Sequence, residues 1–487
     1  MVKKPVPRPP ERRVRTVSPP IFVRIKLYTF EKELPLVLNG SYSAGRVTLK
    51  PGHYIVKISR RKKSRFVYYE TLFKTSNYDL AYRYFQNHHA PDVYFIDVGT
   101  IFKIGNTTLD NREFYVLKGP FKSKKDLEHP YAEPANPPHG VVEILDEKGH
   151  RVISANDSLT LKPQGGTISF AGYKNLSGEV IVTFDTGARG IVVLKSELED
   201  YIKHVLPSEM PVGFPEEALK AQAVVARTFT LANLGKFYRY QPFDFTSTPL
   251  SQTFGGKRFE VSDTIVEETR GIVLFYNHRI ADVFYHSTCG GHTEDVTYIW
   301  NTGSIPYLRG VKDGNFDYDL QDPIGVRMFV ESPPESVFCR MTDNPVIMHY
   351  VKKNFRWEVK LRRKQVEEWV KKFTGKGVGK LISLTPVKRG VSGRVTEIVF
   401  TGTKKSVDVR GEYRIRRILG GLKSSLFIVD YERDEKGDIV NVVIKGGGAG
   451  HGVGMCQVGA GILAEHGFKM KDIISHYFPG VKGVKIY

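Results

Sequence analysis

The chain has 487 residues, 41% of them apolar and 25% charged, an ordinary globular composition long enough for about two to four domains. No stretch approaches the ~18 consecutive apolar residues of a membrane-spanning helix, and three cysteines without a CxxC pair argue against a disulfide scaffold or a cysteine-based structural zinc site. The formal net charge of +20 draws such a chain to polyanions, whether nucleic acid, anionic lipid or an acidic wall polymer; a plain solubilising surface is the alternative. MVKKPVPRPPERRVR is basic and proline-rich with no apolar core behind it, so no signal peptide is visible.

Residues 1–18 read as a disordered basic, proline-rich arm, either a tether beside a membrane or a solvated tail. Residues 19–65 read as a β-rich segment: FVRIKLYTF alternates, and PLVLNG, RVTLKPG and HYIVKIS follow with Asn39-Gly40 and Pro51-Gly52 as turns. Residues 66–130 run strand, helix, strand, then REFYVLKGPFKSKKDLE, a strand and a short helix stopped by Pro130. This spacing resembles a SPOR domain, which implies binding to peptidoglycan glycan lacking stem peptides, with Tyr68, Tyr94 and Phe121 as rings to stack on sugars. The other reading is a ferredoxin-like domain whose aromatics are core. Residues 131–139, with Pro134, Pro137 and Pro138, read as a linker.

Residues 140–350 begin with more β pattern (VVEIL, RVISA, LTLKP, EVIVTFD, GIVVLK). In KSELEDYIKHVLPSEMP the spacing of Leu198, Tyr201, Ile202 and Val205 predicts a short helix leading into Glu209. A second helix is predicted from Pro215, whose missing N–H costs nothing at a helix start, with Glu216 and Glu217 in the first turn. Its apolar stripe is Ala218, Leu219, Gln222, Val225, Ala226 and Phe229, and Arg227 falls on or beside it. A cation placed there needs a partner or a ligand, because unpaired buried charge is expensive. Residues 315–340 read as irregular and polar. Residues 351–430 read as an inserted α+β lobe, with an amphipathic helix carrying Val366, Trp369, Val370 and Phe373. Residues 431–487 return to the core through a glycine-rich loop and a final helix.

Seven motifs occur in order: PSEMP at 207–211, ALKAQAVVART at 218–228, SQTFGG at 251–256, ETRGIVL at 268–274, FYHSTCGGHTE at 284–294, GGGAGHGVGMCQVGA at 446–460 and HYFPGV at 476–481. Over roughly residues 190–487 the chain resembles the SpoIID/LytB family. The resemblance implies a multi-domain α+β protein: β-rich N-terminal modules, a SpoIID-like α+β catalytic core and an inserted α+β lobe. It also implies an exported protein of the cell envelope. The family holds both lytic transglycosylases, which cut the glycan chain of peptidoglycan, and amidase enhancers, which stimulate a partner hydrolase. Peptidoglycan glycan strands and a cell-wall amidase are therefore the implied partners. Nucleic acid is not expected, since no recognised nucleic-acid module is present.

The resemblance implies, by motif position, that Glu209 is the catalytic glutamate. One carboxyl group suffices for a transglycosylase. It protonates the leaving oxygen and then, as a base, helps the muramic acid 6-hydroxyl close on C1. That role needs a raised pKa, and the neighbours Leu206, Pro207, Met210 and Pro211 supply apolar surroundings. Arg227 is expected to contact substrate or to orient Glu209 from a distance; pairing with a helix-face acid is the structural alternative. His286, Ser287 and Thr293, at a glycine-rich turn, and His451 and Gln457, in the second glycine-rich segment, are candidate substrate-binding residues, with a structural turn as the alternative in each case. No G-x-S-x-G elbow surrounds Ser287, and the 446–460 loop lacks the phosphate-loop order. Some relatives bind zinc through D-x-C-x-x-x-H-C-Q. Here that segment reads DFTSTPLSQ at 244–252, with Thr246, Leu250 and Ser251 at ligand positions, so neither metal nor cofactor is expected. Gln252 remains as a candidate substrate contact. The family commonly has serine where this chain has Cys289 and Cys456. A disulfide between them is one reading and two unrelated buried thiols the other.

Overall fold

The computed structural model describes residues 15–105, 107–125, 127–300 and 302–487. The arm expected over 1–18 lies outside the described residues except for its end, where Arg15–Val17 forms a strand parallel to Thr100–Ile104. Helices and strands both contribute throughout, so the fold is α+β.

The two β-rich segments on either side of the 66–130 module build one body. A seven-stranded sheet runs Phe245–Thr246, Phe22–Phe30, Gly190–Glu197, Glu179–Phe184, Ser158–Pro163, Tyr42–Ala44, Val47–Leu49. A six-stranded sheet runs Arg151–Asn156, His139–Leu145, Gly52–Lys62, Glu33–Leu38, Ile168–Phe170, Tyr173–Leu176. Alternation makes them pack: Val23, Ile25 and Leu27 face inward from one sheet and Leu34, Leu36, Val56 and Ile58 from the other, in one apolar cluster. Gly190–Glu197 is buried on both sides, because Ile191 and Val193 meet Phe243 on its outer face.

Strand Gly52–Lys62 pairs with His139–Leu145 from Lys62↔His139 to Ile55↔Leu145. The module between them is therefore an insertion at the tip of a β-hairpin. Its four-stranded sheet runs Pro130–Pro134, Phe66–Thr75, Glu113–Phe121, Val93–Val98, antiparallel throughout, with helix α1 (Tyr78–Asn87) between the strands that are first and second in sequence. That order and direction are ferredoxin-like, with a loop in place of the second helix. Part of the expected 131–139 linker is thus the fourth strand: Pro130–Pro134 pairs with Phe66–Glu70. Prolines fit there because this is an edge strand.

Two helices form the centre of the second half. Helix α2 (Leu198–Glu209) ends on the PSEMP motif. Helix α3 (Glu216–Asn233) is buried from Ala218 to Ala232 except at Lys220, well beyond the single stripe expected from spacing. Its alanines let neighbouring helices approach on all sides. The module is fastened to the C-terminal end of α3: Asn111 Nδ2 donates to the Leu231 and Leu234 carbonyls (2.6 and 3.1 Å), and Thr100 Oγ1 donates to Leu234 O (2.9 Å). These bonds satisfy carbonyls that a helix end leaves open.

Within the stretch expected to be irregular over 315–340, Pro323–Glu331 is helical. The signal was present: Asp322 caps Ile324 and Gly325 N–H, and Pro323 occupies the first turn. The inserted lobe runs from Arg356 to Gly447 rather than to 430, because its last strand, Ile439–Gly447, pairs with its first, Arg356–Arg362. It has its own apolar core, including Val366, Val370, Phe400, Ile415 and Ile418.

Candidate active site

Glu209, the last residue of α2, opens into a cleft of about 640 Å³. Three motifs distant in sequence converge on it. SQTFGG supplies the Thr253 N–H, which donates a short hydrogen bond to Glu209 Oε1, and the Gly255 N–H, which donates to Ser208 Oγ (2.9 Å). A side chain at Gly255 would press on that serine, its Cβ 2.9 Å from Oγ. GHGVGMCQ supplies Gln457, whose Nε2 donates to the Glu209 carbonyl (3.0 Å) and to Gln222 Oε1 (3.3 Å). FYHSTCGG supplies Tyr285, whose hydroxyl hydrogen-bonds the Glu209 carboxylate.

Burial raises the Glu209 pKa above the ordinary carboxylate range, and the hydrogen bonds from Thr253 and Tyr285 oppose that shift without cancelling it. None of the groups shifting it is a cation. The direction of the tyrosine proton is set by Gln252. Its Oε1 accepts from Thr230 (2.8 Å) and Tyr201 (3.3 Å), so its amide N–H₂ faces Tyr285 Oη (3.3 Å) and Ala226 O (3.3 Å). Tyr285, accepting from Gln252, turns its own proton to Glu209.

Around the carboxyl group the cleft is lined by His286, Ser287, Gln457 and His451, the sites expected from the motifs. His451 Nδ1 accepts the Val453 N–H (3.0 Å), and burial pushes the ring's pKa well below its usual value, so it is neutral with its proton on Nε2. His286 Nδ1 lies 3.2 Å from Val453 O, and its buried Nε2 has no protein partner among the described residues. Ser287 Oγ accepts from Asn354 Nδ2 (3.3 Å). Trp300 and Phe284 add an aromatic wall, their ring centroids 4.7 Å apart, with Trp300 5.0 Å from His451.

Four expected placements change. Arg227 is fully buried and does not reach the cleft: Nε and Nη2 donate to the Glu199 carboxylate at 2.9 and 2.8 Å, and Nη1 donates to Ile272 O at 3.2 Å. It is a structural pair, as a cation in an apolar helix bundle has to be. Gln252 is also fully buried and orients Tyr285 instead of touching ligand. Thr293 is buried in a turn, its Oγ1 accepting from Val311 N (2.7 Å). The motif is divided: FYHS faces the cleft, while HTE clamps the lobe through Glu294, which accepts from Ser392 Oγ (2.5 Å). Tyr68, Tyr94 and Phe121 do not form one platform. Tyr94 packs edge-on to Tyr69 at 5.8 Å inside the cluster of Tyr115, Leu117 and Tyr131, while Tyr68, next to Tyr69 in its strand, points to the other face, where the exposed Phe121 is its cross-strand partner.

The structure adds residues that sequence reasoning missed. Tyr285 lies inside the FYHSTCGGHTE motif, beside His286. Lys74 and Glu113, joined by a 3.0 Å ion pair, come from the inserted module and line the cleft with Lys236 and Asp282. Burial lowers the Lys236 pKa and raises that of Asp282, each opposed by the neighbouring opposite charge. No local pattern marks these four, since two separate domains bring them together. The disulfide reading is not met, as all three cysteines are free.

Two family models match the chain. The model "Stage II sporulation protein" matches residues 187–276, covering α2, Glu209 and α3; a "Domain of unknown function (DUF8618)" matches 294–454. The stage II sporulation protein D of Bacillus amyloliquefaciens is 30% identical over 302 residues, 58% of this chain and 73% of that protein. That of Bacillus subtilis is 28% identical over 303 residues, 58% and 74%. An amidase enhancer of B. subtilis is 27% identical over 309 residues, 57% of this chain and 39% of that protein. The chain belongs to the SpoIID/LytB family.

Proposed function

We propose that this protein is a peptidoglycan lytic transglycosylase of the cell envelope, with Glu209 as general acid and then base. A half-buried glutamic acid with a raised pKa, at the wall of a cleft and with no cation acting on it, carries the reading. Its proton goes to the glycosidic oxygen as the bond to muramic acid C1 breaks. The resulting carboxylate then takes the proton of the muramoyl 6-hydroxyl as that oxygen closes on C1. The product is a 1,6-anhydro sugar, no water is consumed, and the acid is regenerated. Tyr285, held by Gln252, stabilises the carboxylate between the two steps. Trp300 and Phe284 offer apolar faces to the sugar rings, and His451, His286 and Gln457 offer polar contacts. A net charge of +20 suits an acidic wall polymer. The ferredoxin-like module contributes glycan contacts through its cleft-facing end, Lys74 and Glu113, rather than through the core-packed Tyr94. No helix among the described residues is long and apolar enough to cross a membrane.

The test is incubation with denuded glycan strands and mass spectrometry of the ends, wild type beside Glu209→Gln. Anhydro-muramyl ends from the wild type alone are expected. The similarity to an amidase enhancer favours a second reading, a binding protein that stimulates a partner amidase. Stimulation of such an amidase with no anhydro product from either form would replace the enzyme reading with that one.

A further inference from the structure

Behind the cleft wall lies a buried polar cluster that the proposed reaction does not use. Cys289, Cys339 and Cys456, far apart in sequence, are fully buried free thiols that meet in space. Cys289 Sγ is 3.5 Å from Cys339 Sγ and 3.0 Å from Asp313 Oδ2, and the ligand atoms of these three residues all lie within 4.8 Å of one another. Cys456 Sγ stands beside these three, outside that mutual spacing, and is reached by the Cys289 N–H at 3.1 Å.

Several features distinguish this cluster from a packed set of thiols. Sulfur spacing is one. Thiolates about 2.3 Å from one tetrahedral zinc stand about 3.8 Å apart, against about 2.05 Å in a disulfide. The backbone is another. Gly291 N–H donates to Cys289 Sγ (3.2 Å), while Cys289 N–H (3.1 Å) and Gly459 N–H (3.2 Å) donate to Cys456 Sγ. A neutral thiol is a weak acceptor, so three amides aimed at sulfur suit thiolates. Asp313 is oriented as ligating carboxylates are, accepting from His476 Nε2 (3.0 Å) and Tyr477 Oη (2.9 Å). Close approach of the last helix to the carboxylate needs glycine at 459, where a Cβ would lie 2.4 Å from Asp313 Oδ2 and 2.2 Å from Tyr477 Oη.

We propose that Cys289, Cys339 and Asp313 hold one divalent thiophilic ion of the zinc class in a structural site, with Cys456 drawn in as the fourth ligand. Binding exchanges the three thiol protons for the metal and needs no oxidant. Excess negative charge is offset by Arg356, which is held beside the cluster through Gly290 O (3.0 Å). The ion ties four separate segments together. Two of them present His286, Ser287 and Gln457 to the cleft on their other side, so the metal holds that wall in place. This inference does not depend on the glycan chemistry.

The full chain, purified without chelator, is analysed for bound metal by plasma mass spectrometry and then loaded with cobalt(II) in place of the native ion. One equivalent per chain is expected, with a thiolate-to-cobalt charge-transfer band and a tetrahedral d–d envelope. Cys339→Ser is expected to weaken the band, and chelation to lower Tm, with zinc restoring it. Glu209→Gln is expected to keep both metal and spectrum, which separates this site from the reaction. The wild-type spectrum needs no variant to fold. A reduced wild-type chain that takes up neither zinc nor cobalt, with every thiol titrating after denaturation, would overturn the proposal. So would a chain whose mass is lower by two hydrogens and which, once reduced, gives no cobalt spectrum.

Discussion

Helix α2 carries a carboxylate at each end, Glu199 buried and Glu209 half-buried, and the two have opposite surroundings. Glu199, in the first turn, accepts three bonds from Arg227 and further ones from Gly271 N–H and Tyr487 Oη, all inside the fold. Glu209, in the last turn, accepts only uncharged donors and borders a cleft. A carboxylate that meets a guanidinium in the core becomes a fastening between helices. One desolvated without a cation keeps its proton to higher pH than an ordinary carboxyl group, which suits a proton donor. Residue type and helix are the same at the two positions, so surroundings and partner decide the role.

Exchanging the carboxyl group at the cleft end is the sharpest way to break this contrast. Glu209→Gln keeps an acceptor for Thr253 and Tyr285 but has no proton to give. Anhydro-end formation is expected to fall by about 10²–10⁴-fold with no loss of Tm; a matching loss of Tm would make Glu209 structural. At the other end the effects reverse. Arg227→Met strands the Glu199 charge, and breaking a buried pair costs about 3–5 kcal/mol, read by chemical denaturation. Adding Glu199→Leu is expected to return most of that stability, and turnover per folded molecule to stay near wild type. A selective loss of turnover in the stable double variant would restore Arg227 to the site.

Tyr285→Phe is a finer probe. Its hydrogen bond lowers the Glu209 pKa, so removal raises that pKa further. The acid works protonated, so the alkaline limb of the pH–rate profile is expected to move to higher pH. An unmoved limb would separate Tyr285 from the proton. The smallest effect is on stability. A carboxyl group whose folded pKa lies above its unfolded value favours the fold while protonated. That contribution is lost as pH rises from the ordinary carboxylate range through the raised folded pKa. Glu209→Gln is therefore expected to gain stability over wild type toward neutral pH and to match it in acid, as pH-resolved urea titrations would show.

Much of the site was legible in the chain. PSEMP at the end of a helix, the buried helix after it and the glycine-rich segments bearing His286 and His451 were readable from period, punctuation and motif order. Their convergence on Glu209 is what the resemblance implied. Arg227 was harder: spacing placed it on a buried face and so demanded a partner, but could not choose between ligand and acid. Gln252 and Thr293 kept their motif positions yet turned inward, because a motif records which residues belong to a fold more readily than which face solvent. The inserted lobe showed its strands and helix, but its end at Gly447 depended on pairing with a strand about 90 residues earlier.

Alternation, helical spacing and turn residues are local, and so strands such as Phe22–Phe30, helices α2 and α3 and the single marked glutamate follow from neighbours along the chain. Everything that depends on distance through space came from packing. The split of residues 19–65 and 140–195 into two shared sheets, the delivery of Lys74 and Glu113 to a cleft on another domain, and the meeting of three cysteines that no spacing rule pairs are of this kind. Electrostatic fate belongs with them, since a carboxyl group's proton answers to whatever the fold brings within a few ångströms, and the order of residues does not state that.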